Sequence, residues 1–137
     1  MIGNILKRRV MSMKVPEVDI DASGVFKYIL IRLQMTESKG AEALKTEVVR
    51  GYEECPYHSD ISDKFTEQLQ KLKQSGELVD WKTKVLGGGR INHDAAAKTI
   101  RVYGYSQGYG KADHQVTVNI LKKVYKDYDI TWSDEGY

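Results

Sequence analysis

Four polar residues lie where predicted strands or helices begin or end, and together they could bind an anion and move a proton. His58 directly precedes Ser59, a good N-cap residue, so its imidazole would lie beside the free N–H groups of a helix start. Such a start attracts anions and disfavours a protonated ring, which would leave His58 as a neutral base. The alternative is a solvent-exposed histidine before a helix, with no chemical role.

Two cations and a serine could complete an anion site around this base. Lys27 shares a predicted strand face with apolar residues, and Arg90 follows three glycines whose backbone amides could face a phosphate. Ser106 lies at a predicted strand end, before Gly108 and Gly110, which would allow the backbone to approach a ligand. The structural alternatives are a snorkelling lysine, a flexible turn before a hairpin and a tight turn rich in tyrosine.

The chain lacks the residues that several other kinds of catalytic site require. His58, His93 and His114 are far apart and form no His-x-His or His-x-x-x-His pair, so we expect neither a metal site nor a cofactor. The residue six positions after Cys55 is not the arginine that a cysteine phosphatase requires. The glycines at 87–89 are not followed by Lys-Ser/Thr, which excludes a nucleotide P-loop.

Periodicity predicts an α+β (mixed α/β) fold, in which a single, mostly mixed sheet of about six strands carries two main helices. The predicted strands are 26–33, 46–50, 78–86, 90–93, 99–105 and 129–133. The glycines at 87–89 are expected to end one of them. The helices are expected to start at the N-caps Ser59 and Asp113, and the first to end at Gly76. Their buried positions are expected to be Ile61, Phe65, Leu69 and Leu72 in the first helix, and Val116, Ile120, Leu121 and Val124 in the second.

Length and charge predict one domain with a basic extension. The chain has 137 residues, of which 41% are hydrophobic and 29% charged, and no apolar run approaches the roughly 20 residues of a membrane span. Residues 1–16 contain four basic residues and no acid, which leaves 17 basic and 19 acidic residues in the remainder. We predict that 1–16 is a disordered extension and 17–137 a single domain. A mitochondrial transit peptide is the alternative for the extension.

The charge balance and the cysteine count predict the partners and the cellular compartment of the protein. A mildly acidic body argues against a broad nucleic-acid-binding surface, which needs clustered basic residues. A single cysteine rules out an internal disulfide framework and indicates a reducing compartment. We therefore expect a cytoplasmic monomer that binds neither nucleic acid nor membranes.

Several segments, in the same order, resemble the protein histidine phosphatase (janus/ocnus) family, and the resemblance covers nearly all of 18–137. The segments that carry it are DIDASGVFKYILIR (19–32), VVRGY (48–52), YHSDISDK (57–64), LGGGRINH (86–93), VYGYSQGYGKADH (102–114) and YDITWSDEGY (128–137). The chain departs from some relatives at Pro56, where they have an acid, at Ser59, where they have alanine, and at Gln107-Gly108, where they have Met-Ala.

The resemblance implies a metal-independent hydrolase that removes phosphate from phosphohistidine, and by extension phospholysine, in partner proteins. It implies that His58 is the catalytic histidine, acting either as a general base or as a nucleophile. The phosphate-binding residues that it implies are Lys27, Arg50, Arg90 and Ser106, with backbone amides near Tyr57, Ser59 and Gly108. The functional alternative is a non-catalytic module of the janus type that binds phosphorylated residues and has a developmental or sex-regulated role.

Overall fold

The computed structural model describes residues 14–134, in which six strands form one mixed sheet that carries two helices. The strands are β1 (Val18–Ile20), β2 (Gly24–Thr36), β3 (Leu44–Gly51), β4 (Asp80–Asp94), β5 (Thr99–Tyr103) and β6 (Asp129–Trp132). The helices are α1 (His58–Gln74) and α2 (His114–Val124). The predicted α+β class, with about six strands and two helices, is confirmed.

The sheet has the strand order β1-β3-β2-β4-β5-β6, and each helix packs against a different face of it. The β1/β3 and β5/β6 pairs at the two edges are parallel, and the three central pairs are antiparallel. Successive side chains of a strand point to opposite faces. In β2, Ile29 and Ile31 therefore join the core under α1, and Tyr28 and Leu30 the core under α2.

Helix α1 begins one residue before Ser59, which is the predicted N-cap. Tyr57 is the actual N-cap, and its backbone N–H donates to Asp60 Oδ2 at 2.9 Å. The predicted cap is therefore wrong, because the Asp60 carboxylate closes the first turn and Ser59 lies inside the helix. The predicted buried positions Ile61, Phe65 and Leu69 are confirmed, and Leu72 is partly buried.

Helix α2 begins as predicted, with the Asp113 carboxylate accepting from the backbone N–H groups of residues 115 and 116. Ile120 and Leu121 are buried as expected, but the prediction for Val124 is wrong, since this residue is exposed. Just beyond the helix end, Tyr125 and Tyr128 are partly buried and pack against the core.

Strand β4 runs without interruption through the three glycines that were predicted to end it. A Cβ on Gly88 would lie 2.7 Å from His58 Cδ2, and one on Gly89 would lie 2.4 Å from the carbonyl oxygen of Tyr103. The missing side chains therefore let neighbouring groups approach the centre of the sheet. The prediction fails here because these glycines permit close packing instead of making a turn.

The domain includes residues that were predicted to belong to the extension. Val15 is buried in the core under α1, and the carbonyl of Pro16 accepts a hydrogen bond from Arg50. Residues 14–16 therefore pack against the domain, while the rest of the predicted extension, 1–13, lies outside the described residues. No helix in the described part of the chain is long and apolar enough to cross a membrane.

Candidate active site

A cavity of about 710 Å³ opens where the start of α1 meets β2, β4 and the loop after β5. Its lining residues are Lys27, Tyr57, His58, Ser59, Arg90, Tyr105, Ser106, Gln107, Gly108 and Tyr109. Seven of the eight site residues predicted from the sequence are among them. The fold thus brings together residues from four separate parts of the chain.

His58 lines the cavity with its imidazole held in one orientation. Its Nε2 lies 3.0 Å from the carbonyl oxygen of Gly89, which can only accept, so Nε2 carries the proton and Nδ1 keeps its lone pair. Burial lowers the pKa of His58, the Gly89 hydrogen bond opposes this shift, and the nearby charges of Lys27 and Arg90 lower the pKa further. The ring is therefore neutral at pH 7 and offers Nδ1 as a base or nucleophile.

Lys27 and Arg90 are directly opposite each other on the antiparallel strands β2 and β4. Like charges in such cross-strand pairs repel each other, and the positive charge that they concentrate here favours the binding of an anion. Lys27 Nζ donates to the carbonyl of Pro56 at 2.5 Å and lies 5.8 Å from the ring centroid of Tyr57. The ammonium group is therefore positioned at the start of α1, beside His58.

The loop from Ser106 to Gly110 forms another wall of the cavity and is fixed by backbone hydrogen bonds. Ser106 and Gly110 pair with each other through bonds of 3.1 and 2.8 Å, and the Gly110 carbonyl also accepts from Gly88 N at 2.9 Å. The buried Ser106 hydroxyl accepts from Tyr109 N at 3.1 Å, which leaves its own proton to donate to a ligand. Gly108 lies in this loop and lines the cavity.

The backbone amides that were predicted to bind phosphate differ in availability. The Tyr57 amide donates to Asp60 and the Gly88 amide to Gly110, so neither is free for a ligand in this arrangement. By contrast, the N–H groups of His58 and Ser59, the first two residues of the helix, have no intrahelical acceptor. Ser59 is thus the backbone donor that remains from the predicted pair at the helix start.

Arg50 is the predicted site residue that the structure does not bring to this cavity. Its side chain is 1% exposed, and it donates to the carbonyls of Val49 at 2.9 Å and Pro16 at 2.6 Å. The guanidinium lies 4.9 Å from the ring centroid of Phe65 and lines a separate cavity of about 290 Å³. The position of Arg50 near a strand end did not reveal that its side chain is enclosed beneath α1.

Two groups of residues near the cavity were not predicted from the sequence, namely tyrosines that line it and a hydrogen-bonded histidine behind β4. Tyr105 and Tyr109 line the cavity, and the clustering of tyrosine and glycine at 103–110 was the signal for them in the sequence. Behind β4, His114 Nε2 donates to the Gly104 carbonyl at 2.8 Å, so its Nδ1 accepts from the Tyr28 hydroxyl at 2.6 Å. Within residues 14–134, no three His, Cys, Asp or Glu side chains are grouped so that they could hold a metal ion.

In this α+β protein a neutral histidine, two adjacent cations and a serine hydroxyl line one open cavity, a set of groups that can bind an anion and accept a proton. Residues 12–129 match the model of the Janus/Ocnus family, and the chain belongs to this family. The predicted family membership is confirmed.

The curated relatives cover most of the chain. It is 46% identical over 125 residues to the 14 kDa phosphohistidine phosphatase of Sus scrofa, which is 90% of this chain and 94% of that protein. The identity is 45% over 124 residues to the Homo sapiens protein of the same name, with the same coverage. It is also 45% over 124 residues to the sex-regulated protein janus-A of Drosophila pseudoobscura pseudoobscura, which is 90% of this chain and 78% of that protein.

Proposed function

We propose that the protein is a phosphatase that hydrolyses the P–N bond of phosphohistidine in partner proteins. The observation that carries this proposal is the Lys27–Arg90 pair, two cations directly opposite each other on adjacent strands and close to the neutral base His58. The relatives named phosphohistidine phosphatase, at 45–46% identity over 90% of the chain, support the same reaction.

In the proposed reaction, Lys27, Arg90 and Ser106 bind the phosphoryl oxygens and stabilise their charge in the transition state. His58 Nδ1 takes a proton from water while the water oxygen forms its bond to phosphorus. The P–N bond breaks, the departing imidazole takes a proton from solvent, protonated His58 returns its proton to solvent, and inorganic phosphate leaves. A general base in this role contributes roughly 10²–10⁴-fold.

The site is equally compatible with direct attack by His58. In that sequence Nδ1 forms a P–N bond as the substrate P–N bond breaks and the departing nitrogen takes a proton from solvent, and water then hydrolyses the phosphorylated His58. Rapid quenching during turnover distinguishes the two routes, because only direct attack leaves phosphate covalently bound to the enzyme.

We propose that the reaction needs no metal and extends to phospholysine. Lys27 and Arg90 supply the positive charge that a metal ion supplies to phosphoryl oxygens in other phosphatases. Phospholysine presents the same phosphoryl group on nitrogen. We further propose that the protein acts as a cytoplasmic monomer without nucleic-acid or membrane partners. The mildly acidic body of the chain supports the absence of a nucleic-acid partner.

Release of inorganic phosphate from a phosphohistidine peptide tests the proposal, with and without excess EDTA. We expect the same rate in both conditions. A rate that EDTA abolishes and zinc or magnesium restores would contradict the metal-free reaction. Tight binding of the peptide with no phosphate release would instead identify a binding module of the janus type.

A further inference from the structure

The exposed tyrosines of this protein are concentrated at one place. In the described part of the chain, Tyr57, Tyr105 and Tyr109 have exposed fractions of 67%, 49% and 38%, and all three line the cavity that contains His58. The other tyrosines in residues 14–134 are buried or half-buried. We call the three exposed residues the tyrosine rim.

The fold alone does not explain the tyrosine rim. Tyr57 occupies an N-cap position, where Ser, Thr, Asp or Asn would serve the helix better. An aromatic ring that stays in water forgoes the stability that its burial would provide. Clustered exposed apolar surface of this kind is typical of a binding site.

The position of the tyrosine rim indicates which part of a substrate it meets. Lys27, Arg90 and the buried Ser106 form the proposed phosphate-binding part of the cavity, and the three rings, which are far more exposed to solvent than Ser106, line the same cavity. The Lys27 ammonium lies 5.8 Å from the centroid of the Tyr57 ring, so this ring is next to a cation that we propose to bind phosphate. A phosphorylated side chain therefore has its phosphate inside and its carrier group beside the rings.

We propose that the tyrosine rim stacks on the imidazole of phosphohistidine and makes the site prefer this aromatic carrier to the aliphatic chain of phospholysine. The proposal rests on the proposed function and names the feature that selects its substrate. Aromatic rings attract each other through offset or edge-to-face contacts, which a butyl chain cannot make. Their usual strength corresponds to about a 2- to 10-fold preference per ring.

The test measures the dissociation constants of two peptides that differ only in carrying phosphohistidine or phospholysine. The measurements use a His58→Ala background, in which the peptides stay intact, and compare Tyr57→Leu and Tyr109→Leu with Tyr57→Phe and Tyr109→Phe. Trp132→Leu is the matched control, because Trp132 is an aromatic residue with an exposed fraction of 40% outside the cavity.

We expect each leucine variant to weaken phosphohistidine binding about 2- to 10-fold and phospholysine binding less than 2-fold, with the phenylalanine variants and the control unchanged. Equal weakening of both peptides would show that the tyrosines act only through Lys27, and would overturn the proposal. So would equal affinity of the two peptides in the His58→Ala protein, or an unchanged ratio in the leucine variants. Failure of the parent protein to release phosphate would overturn the proposed function alone. The ratio of the affinities for the two peptides would still decide whether the tyrosine rim selects phosphohistidine.

Discussion

The protonation of His58 determines what the cavity can do. Nε2 is committed to the Gly89 carbonyl, so only Nδ1 can accept a proton, and it can do so only while the ring is neutral. Burial and the two nearby cations lower the pKa of His58, which keeps the ring neutral to a lower pH than an ordinary histidine. The two cations, which we propose to bind phosphate, therefore also help to keep His58 neutral.

This coupling predicts a specific pH dependence. We expect kcat/KM to fall as the pH drops through an apparent pKa below about 6.5, the ordinary value for histidine. Lys27→Met removes one positive charge beside the ring, so the pKa of His58 should rise and the acid limb should move to higher pH. Measurements of kcat/KM between pH 5 and 8 give the acid limb for the parent protein and for Lys27→Met. Identical acid limbs would show that Lys27 does not shift the pKa of His58.

The location of the Arg50 side chain could not be predicted from the residues around it in the sequence. The resemblance implied that it binds phosphate, and the sequence alone contains nothing against this. The pairing of β2 with β3 places Arg50 opposite Ile29, beneath α1 and against Phe65. Strand register and helix packing decide this position, and neither is encoded in the residues next to Arg50.

At the scale of elements, a long apolar run and a strong helix cap could be predicted well. β2 and the start of α2 at Asp113 are examples. The wrong predictions concern glycine and serine, residue types that can serve either of two structural roles. Glycine usually marks a turn, but in β4 it makes room for His58, and serine often caps a helix, but at α1 the Asp60 carboxylate binds the Tyr57 amide instead.

The close packing at β4 predicts that Gly88→Ala damages catalysis. The added methyl group would lie 2.7 Å from His58 Cδ2 and 2.9 Å from the Tyr28 carbonyl, so the imidazole must move. We expect kcat to fall by about 10-fold or more, because a displacement of about 1 Å is costly for a catalytic group. Asn92→Ala, at an exposed position further along β4, is the control. A folded Gly88→Ala protein with parental kcat would show that the glycine does not determine the position of His58.

At the scale of the whole molecule, two buried histidines link stability to pH. Burial is the main cause that lowers the pKa of both His58 and His114. Because their pKa values are higher in the unfolded chain, that chain binds more protons below about pH 6.5. The stabilisation is therefore complete above pH 6.5 and is lost as the pH falls through the lowered pKa values.

We accordingly expect the Tm to decrease between pH 7 and 5, a range above the titration of most carboxylates. Differential scanning calorimetry at constant ionic strength measures this change. His58→Ala removes one of the two groups, so its Tm should depend less steeply on pH. A Tm that stays constant or rises on acidification would contradict the linkage.

The most direct test of the central claim compares turnover and phosphate binding in His58→Ala. This variant loses the proton acceptor but retains Lys27, Arg90 and Ser106, so we expect kcat on a phosphohistidine peptide to fall roughly 10²- to 10⁴-fold. Inorganic phosphate should still bind, as measured by calorimetry, and circular dichroism confirms folding. Arg90→Ala should weaken phosphate binding as well as turnover. A folded His58→Ala protein with near-parental kcat would contradict the assignment of His58 as the catalytic residue.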